Sequence, residues 1–330
     1  LFMAMELSNK NWKLAFGDGS QERFCNVPAR AEKALLEQIR RAKEKFGLID
    51  DAPVVSCYEA GRDGFWIHRM LETHGVENHV MNPSSIEVPR QARARKTDRL
   101  DVKKLLKLLL RRMLWAEEDA FSSVCVPSEE QEGQLRLYRE RARLVKERTG
   151  HRARIRSLLV LHGIQIGNPA TVALDKLKDW AGRALKQPTL VELRREQQRL
   201  VMVEAQLKGL EAEQEAALAD PQSPALEKAH KLRRLKSVGL QSSWMLAHEC
   251  FGWRSFANRK HLGSFSGLTG TPHDSGDTLR EQGISKAGSG RVRAGMIELA
   301  WLWVRYQPNS ALTLWYKERY AQGKNKRSRR

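Results

Sequence analysis

The change of hydrophobic period within the first 115 residues limits the fold more than any other feature. Three short runs, LFMAMEL (1–7), WKLAFG (12–17) and QERFCNV (21–27), are separated by the turn sequences SNKN and GDGS and predict an antiparallel meander. ARAEKALLEQIRRAKEKFG then places Ala31, Leu35, Ile39 and Phe46 near one helical face and stops at Gly47. APVVSCYEA reads as a buried strand, GFWIHRMLETHG as a helix closed by Gly75, VENHVMN as a strand and KTDRLDVKKLLKLLLRRM as a helix. The order βββ-α-β-α-β-α predicts an open sheet with right-handed crossovers, whose sites collect beyond the ends of central strands.

Carboxylates fall where that geometry can use them. Glu6 ends the first strand, Glu59 ends the fourth, and Asp98 and Asp101 share one face of the last helix because residues three apart are helical neighbours. Like charges packed together are costly without a cation among them, and hard oxygen ligands suit Mg²⁺ or Mn²⁺. Two such ions about 3.5–4 Å apart clamp the attacking and leaving oxygens of a phosphodiester. The same residues also suit an ordinary role: acids in a first helical turn offset the helix dipole, and Thr97 occupies an N-cap position.

Charge points to the partner. Lys+Arg 58 against Asp+Glu 39 leaves a formal net charge of +19, a surplus suited to a polyanion. Arg93, Arg95, Lys96, Arg99, Lys103 and Lys104 surround the two aspartates. Residues 136–156 hold nine arginines and lysines, among them Arg139, Arg143, Arg152 and Arg154, against Glu140 and Glu147. That sign bias favours phosphate contacts over a merely solvated face. No run of 18 apolar residues exists, so no membrane span is expected, and no signal-peptide pattern is visible. Cys25, Cys57, Cys125 and Cys250 lack paired spacing, which argues against a disulfide framework or zinc site and fits a reducing cytoplasm. His68, His74 and His79 are spaced too irregularly for a ligand set, and the absence of a phosphate loop predicts no ATP requirement.

Beyond residue 126 the pattern is helical. Residues 127–163 read as one long helix capped at Pro127-Ser128. Leu193, Leu200 and Leu207, with Val203 and Leu210 in the alternate positions, form a short coiled-coil seam that could close within one chain or between two. DPQSPA near residue 220 reads as a linker. LKSVGLQSSWMLAHE resembles a helix-hairpin-helix grip on a DNA backbone. Next comes HLGSFSGLTGTPHDSGDTLREQGISKAGSGRVRAG, whose glycines allow close approach to phosphate and whose Ser289 can cap a helix facing an anion. Lys286, Arg291 and Arg293 lie in this stretch, while Trp301 and Trp303 are expected in the core.

CYEAGRDGFWIHRML, RKTDRLDVKKL, HLGSFSGLTGTPHDSG and GISKAGSGRVRAGMIELAW together resemble the DEDD transposases of bacterial insertion sequences, the 110 and 1111 types. The resemblance runs from about residue 2 to about 305, in the family's motif order. It implies an α/β plus all-α chain: a RuvC-like (RNase H-like) nuclease domain over 1–125, a helical coiled-coil region over 126–220, a mostly helical transposase domain over 221–316 and a basic tail over 317–330. It makes Glu6, Glu59, Asp98 and Asp101 the Mg²⁺ ligands, with Glu6 standing where the family ordinarily has aspartate, and Ser275 in HDSG the nucleophile, with His273 or Asp274 assisting. Donor and target DNA, a bridge RNA that guides their choice, and a homo-oligomer, dimer or tetramer, are the implied partners in a bacterial cytoplasm. Two rival expectations stand beside recombination: a structure-specific endonuclease using the acidic residues alone, and a catalytically silent RNA- or DNA-binding relative.

Overall fold

The computed structural model describes residues 1–86, 97–275 and 278–321. The chain divides into two units, Leu1–Val126 and Pro127–Arg330.

The first unit opens with β1 (Phe2–Glu6), β2 (Asn11–Gly17) and β3 (Glu22–Pro28), paired antiparallel in succession. α1 (Glu32–Lys45), β4 (Val54–Glu59), α2 (Trp66–Thr73), β5 (Val76–Met81) and α3 (Asp98–Leu114) follow. The sheet order is β3-β2-β1-β4-β5, with β4 parallel to β1 and β5 parallel to β4. Strand alternation divides the core in two. Met3 and Met5 join Trp12, Leu14 and Phe16 against Leu35 and Ile39 of α1 and Ile67 and Leu71 of α2. Ala4, Ala15 and Cys57 face the other way, and these small residues let the α3 leucines Leu105, Leu106, Leu108 and Leu109 settle on the sheet.

The direction of α3 follows from two glycines. A Cβ on Gly17 would meet Leu106 and one on Gly19 would meet Leu114, while Gly17 pairs with Phe2 at the start of β1. The C-terminal half of α3 therefore covers the beginning of β1, and its first turn runs toward the end of β1.

In the second unit α4 (Glu129–Val160) starts with a capping box between Ser128 and Gln131 and packs against α5 (Gln187–Ala219). Leu144 meets Val203 and Leu207, while Ile155 and Leu159 share a cluster with Leu193 and Leu200. The leucine seam is thus covered by α4 of its own chain. Of the two arrangements the spacing allowed, this is the one within a chain.

α6 (Pro224–Arg233), α7 (Leu240–Met245), a π-helical turn over Leu246–Phe251, α8 (Arg259–Ser266), a hairpin of β6 (Gly270–Ser275) and β7 (Thr278–Ile284), α9 (Gly290–Tyr306) and α10 (Ala311–Tyr316) complete the unit. The glycine-rich stretch is therefore partly a β-hairpin. Gly267 (φ +66°) and Gly288 (φ +109°) permit backbone to approach backbone: a Cβ on the first would strike Ala287 O, and on the second Phe265 O. Trp301 is 50% exposed, against the expectation of core, because α9 turns Val292 and Met296 toward its cluster with Met245 and Cys250. Trp303 is half-buried and donates from Nε1 to Ser310 Oγ at 3.0 Å. No helix among the described residues is long and apolar enough to cross a membrane.

Leu106→Ala is expected to lower the unfolding free energy of the first unit by about 2–5 kcal/mol, because a fully buried leucine leaves a cavity between α3 and the sheet. Urea unfolding followed by tryptophan fluorescence measures it.

Candidate carboxylate site and nucleic-acid interface

The parallel register Met5↔Tyr58 sets the next residues of β1 and β4, Glu6 and Glu59, level at two adjacent strand ends. Both line a cleft of about 530 Å³ that also includes Ser8, Asn9, Arg62 and Asp63. Its far wall is the turn after β4, held by the Tyr58 hydroxyl, which donates to Gly64 O at 3.0 Å, and by Ala60 N, which donates to Met81 O at 2.8 Å. Burial pushes the Tyr58 hydroxyl up to about 12, so it stays a donor at neutral pH. Asp63, 3.6 Å from Arg62, is an acid of this cleft that the sequence reading passed over. Its signal was present in GRDG, a turn placed directly after the strand bearing Glu59.

Asp98 and Asp101 occupy the first turn of α3, Asp98 exposed and Asp101 half-buried. They extend the spacing of Leu105 and Leu108, so the sheet-facing stripe of the helix ends in carboxylates. Cys57 Sγ lies 3.8 Å from Leu105 O, which fixes the helix over β4 one turn past Asp101 and two residues short of Glu59. Thr97 fills the ordinary capping role, its Oγ1 accepting from Leu100 N at 3.4 Å. The structure thus brings Glu6 and Glu59 into one cleft and Asp98 and Asp101 onto one helical turn. It does not gather all four: the two aspartates are outside the cleft lining, and no three His, Cys, Asp or Glu among the described residues are disposed to hold a metal ion. The donor set nonetheless has the chemistry of Mg²⁺, being carboxylate oxygen throughout. His68, His74 and His79 have other occupations: contacts with Glu72, Glu32 and Glu77, respectively.

Ser275 is the last residue of β6 and the Cα partner of Thr278, at the turn end of the hairpin. This position in a hairpin had no signature in the Gly-Ser composition.

The cationic residues have varied surroundings. Arg93, Arg95 and Lys96 lie outside the described residues. Arg99 places its guanidinium 5.0 Å from the Phe24 ring centroid, Lys103 pairs with Glu22 at 2.9 Å, and Lys104 is half-buried. Along α4 the expected phosphate stripe is largely committed within the protein. Arg141 pairs with Glu211 at 2.6 Å, Arg152 with Glu204 at 2.5 Å, and Arg154 with Glu192 at 2.6 Å, so the ladder runs antiparallel onto α5. Arg139 reaches Glu249 at 3.5 Å, and Arg143 lies 3.8 Å from both Glu140 and Glu147. Arg293 is a tie rather than an open cation, donating to Lys286 O at 3.0 Å and Ser266 O at 3.4 Å. Lys286 and Arg291 are exposed, and Ser289 Oγ caps α9 by accepting from Val292 N at 3.4 Å.

A family model for the transposases of the IS116/IS110/IS902 family matches residues 229–315, from the end of α6 into α10. Two curated proteins of Sinorhizobium fredii (strain NBRC 101917 / NGR234), each named "Putative transposase", are similar along most of the chain. The first, y4rJ, is 35% identical over 344 residues, covering 97% of this chain and 84% of its own length. The second, y4qE, is 28% identical over 296 residues, covering 88% of this chain and 68% of its own length. Similarity of that extent defines an enzyme that acts on DNA. The chain belongs to the IS116/IS110/IS902 family of transposases.

Arg152→Gln is expected to cost the α4–α5 hairpin about 0.5–1.5 kcal/mol in thermal unfolding, as for a hydrogen-bonded pair of two half-buried residues. The slope of log affinity against log salt for DNA should stay unchanged, whereas a lost phosphate contact would lower it by about 0.9. His248 yields a pH dependence. It is 2% exposed beside Trp244, with ring centroids 4.7 Å apart, and burial holds it down at about 4. An unfolded histidine protonates near 6.5, so the contribution of the neutral ring to stability is complete above about pH 6.5 and is lost as pH falls toward 4. NMR titration of the His248 ring, with melting curves across that window, checks the sign.

Proposed function

We propose that this transposase cuts and rejoins DNA strands through two chemical stations, a Mg²⁺ site on the first unit and the Ser275 hydroxyl on the second. The observation that carries the first station is the level placement of Glu6 and Glu59 at the ends of parallel neighbours, with the acidic turn of α3 directed toward the same end. The strand order β3-β2-β1-β4-β5, antiparallel on one side of β1 and parallel on the other, supports a RuvC-like (RNase H-like) architecture for the domain.

Glu6, Glu59, Asp98 and Asp101 are the residues that would hold Mg²⁺. Bound there, the ion supplies positive charge to a phosphodiester and polarises it toward attack. Ser275 Oγ forms the new bond to phosphorus, a DNA oxygen departs with the electrons of the broken bond, and the covalent phosphoserine link is reversed on rejoining. A serine hydroxyl needs activation. His273 and Asp274, the two residues before it, are the candidate acceptors of its proton. A structured bridge RNA choosing donor and target, and a dimer or tetramer presenting both stations to one DNA, complete the reading. The net charge of +19 supplies the electrostatic footing for both nucleic acids.

Ser275→Ala and Asp101→Asn should each abolish strand exchange, by at least a hundredfold, while DNA affinity persists within a fewfold. Gel assays of cleavage, joining and binding on one DNA set separate the readings. Cleavage surviving Ser275→Ala would favour a resolvase-type endonuclease, and exchange surviving Asp101→Asn would remove the carboxylate site from the mechanism. Sequencing the RNA that copurifies tests guidance: one abundant transcript supports it, and bulk cellular RNA refutes it.

A further inference from the structure

A second cavity, of about 580 Å³, opens between α6 and the segment that follows the π turn. Its floor is apolar and aromatic, made by Leu232, Leu235, Phe251 and Phe256. Its rim carries Lys228, Lys231 and Arg254, and no carboxylate lines it. Leu235 stays 47% exposed, so the floor is open to solvent.

The π turn builds this shape. Gly252 N donates to Ala247 O, five residues back, at 2.6 Å, which advances the backbone and delivers Phe251 to the cavity. Gly252 packs so closely on Ala225 that a Cβ there would stand 2.8 Å from the alanine methyl, so α6 is seated directly on the turn. Arg254 is pre-set: its Nε donates to Glu249 O at 3.1 Å, and its guanidinium lies 3.8 Å from the Trp253 ring centroid and 4.6 Å from that of Phe265. Lys228 Nζ is fixed by Phe251 O at 2.5 Å.

Cations around an apolar aromatic floor match a ligand that is anionic at one end and flat and apolar at the other. The volume falls in the range of about 300–1,000 Å³ typical of small-ligand sites. In a duplex the base faces are stacked inside, and only an unpaired nucleotide offers a base face and a phosphate together. We propose that this cavity holds one unstacked nucleotide of single-stranded DNA, its base against Phe251 and Phe256 and its phosphate against Lys231 and Arg254. The inference rests on the reading of the protein as a DNA strand exchanger, whose strands must unpair to pass from one duplex to the other.

The test is fluorescence anisotropy of the full chain with a labelled single-stranded DNA, the RNA of the same sequence, and the DNA duplex. Phe256→Ala should weaken single-stranded DNA about tenfold, the scale of one lost base stack, and leave duplex affinity within twofold. Phe256→Trp, which keeps a stacking face, should restore the affinity, and exposed Lys231→Gln should lower the single-strand salt slope by about 0.7. Equal losses on single strand and duplex, no loss on either, a Trp variant as weak as the Ala variant, or a larger loss on RNA than on DNA would each overturn the proposal. A wild-type protein that binds duplex while these variants are silent sinks the pocket alone; one that binds no DNA sinks the strand-exchange reading beneath it.

Discussion

The parallel pairing of β1 with β4 is the contact on which the rest of the first unit depends. β1 is the central strand, hydrogen-bonded to the meander on one side and to the crossover strands on the other. Its alternation serves both layers, with Met3 and Met5 toward α1 and α2 and Ala4 toward α3. The register that seats these residues also levels Glu6 with Glu59. A slip of one residue would exchange the faces and separate the carboxylates at once, so core packing and site geometry share one constraint.

The middle of the molecule shows why net charge does not map onto an interface. The α4 stripe is strongly cationic in sequence, yet Arg141, Arg152 and Arg154 meet α5 carboxylates in antiparallel order. Such solvent-accessible pairs contribute only modestly to stability individually. Their effect is to hold guanidinium groups in place and screen them. The hydrophobic seam beneath, Leu193 to Leu207, does the larger share of joining the two helices.

The second unit owes its shape to close backbone approach. Gly252, Gly267 and Gly288 each occupy points where a methyl group would collide with a neighbour. The first seats a π turn on α6; the other two let the two ends of the segment between α8 and α9 lie against each other, with the hairpin whose first strand ends at Ser275 between them. Glycine-rich composition alone reads equally as a phosphate loop or as a crossing of chains. Choosing between them requires knowing which backbone lies opposite.

Local periodicity determined the elements of this protein. The three opening strands, α3 with its capping threonine and two aspartates, and α4 with its Ser128 box are all decided by neighbours within a few residues, and so were legible in the sequence. Family motifs in the chain likewise point to a DNA transposase. Tertiary structure alone decided that the leucine seam is covered by the same chain, that Arg141, Arg152 and Arg154 are spent on α5, that Asp63 joins Glu6 and Glu59, that Trp301 faces solvent, and that Phe251 and Arg254 line a cavity with Lys231. Each of these is a relation between residues distant in sequence, and its energy depends on distance and exposure, quantities that a one-dimensional pattern does not contain.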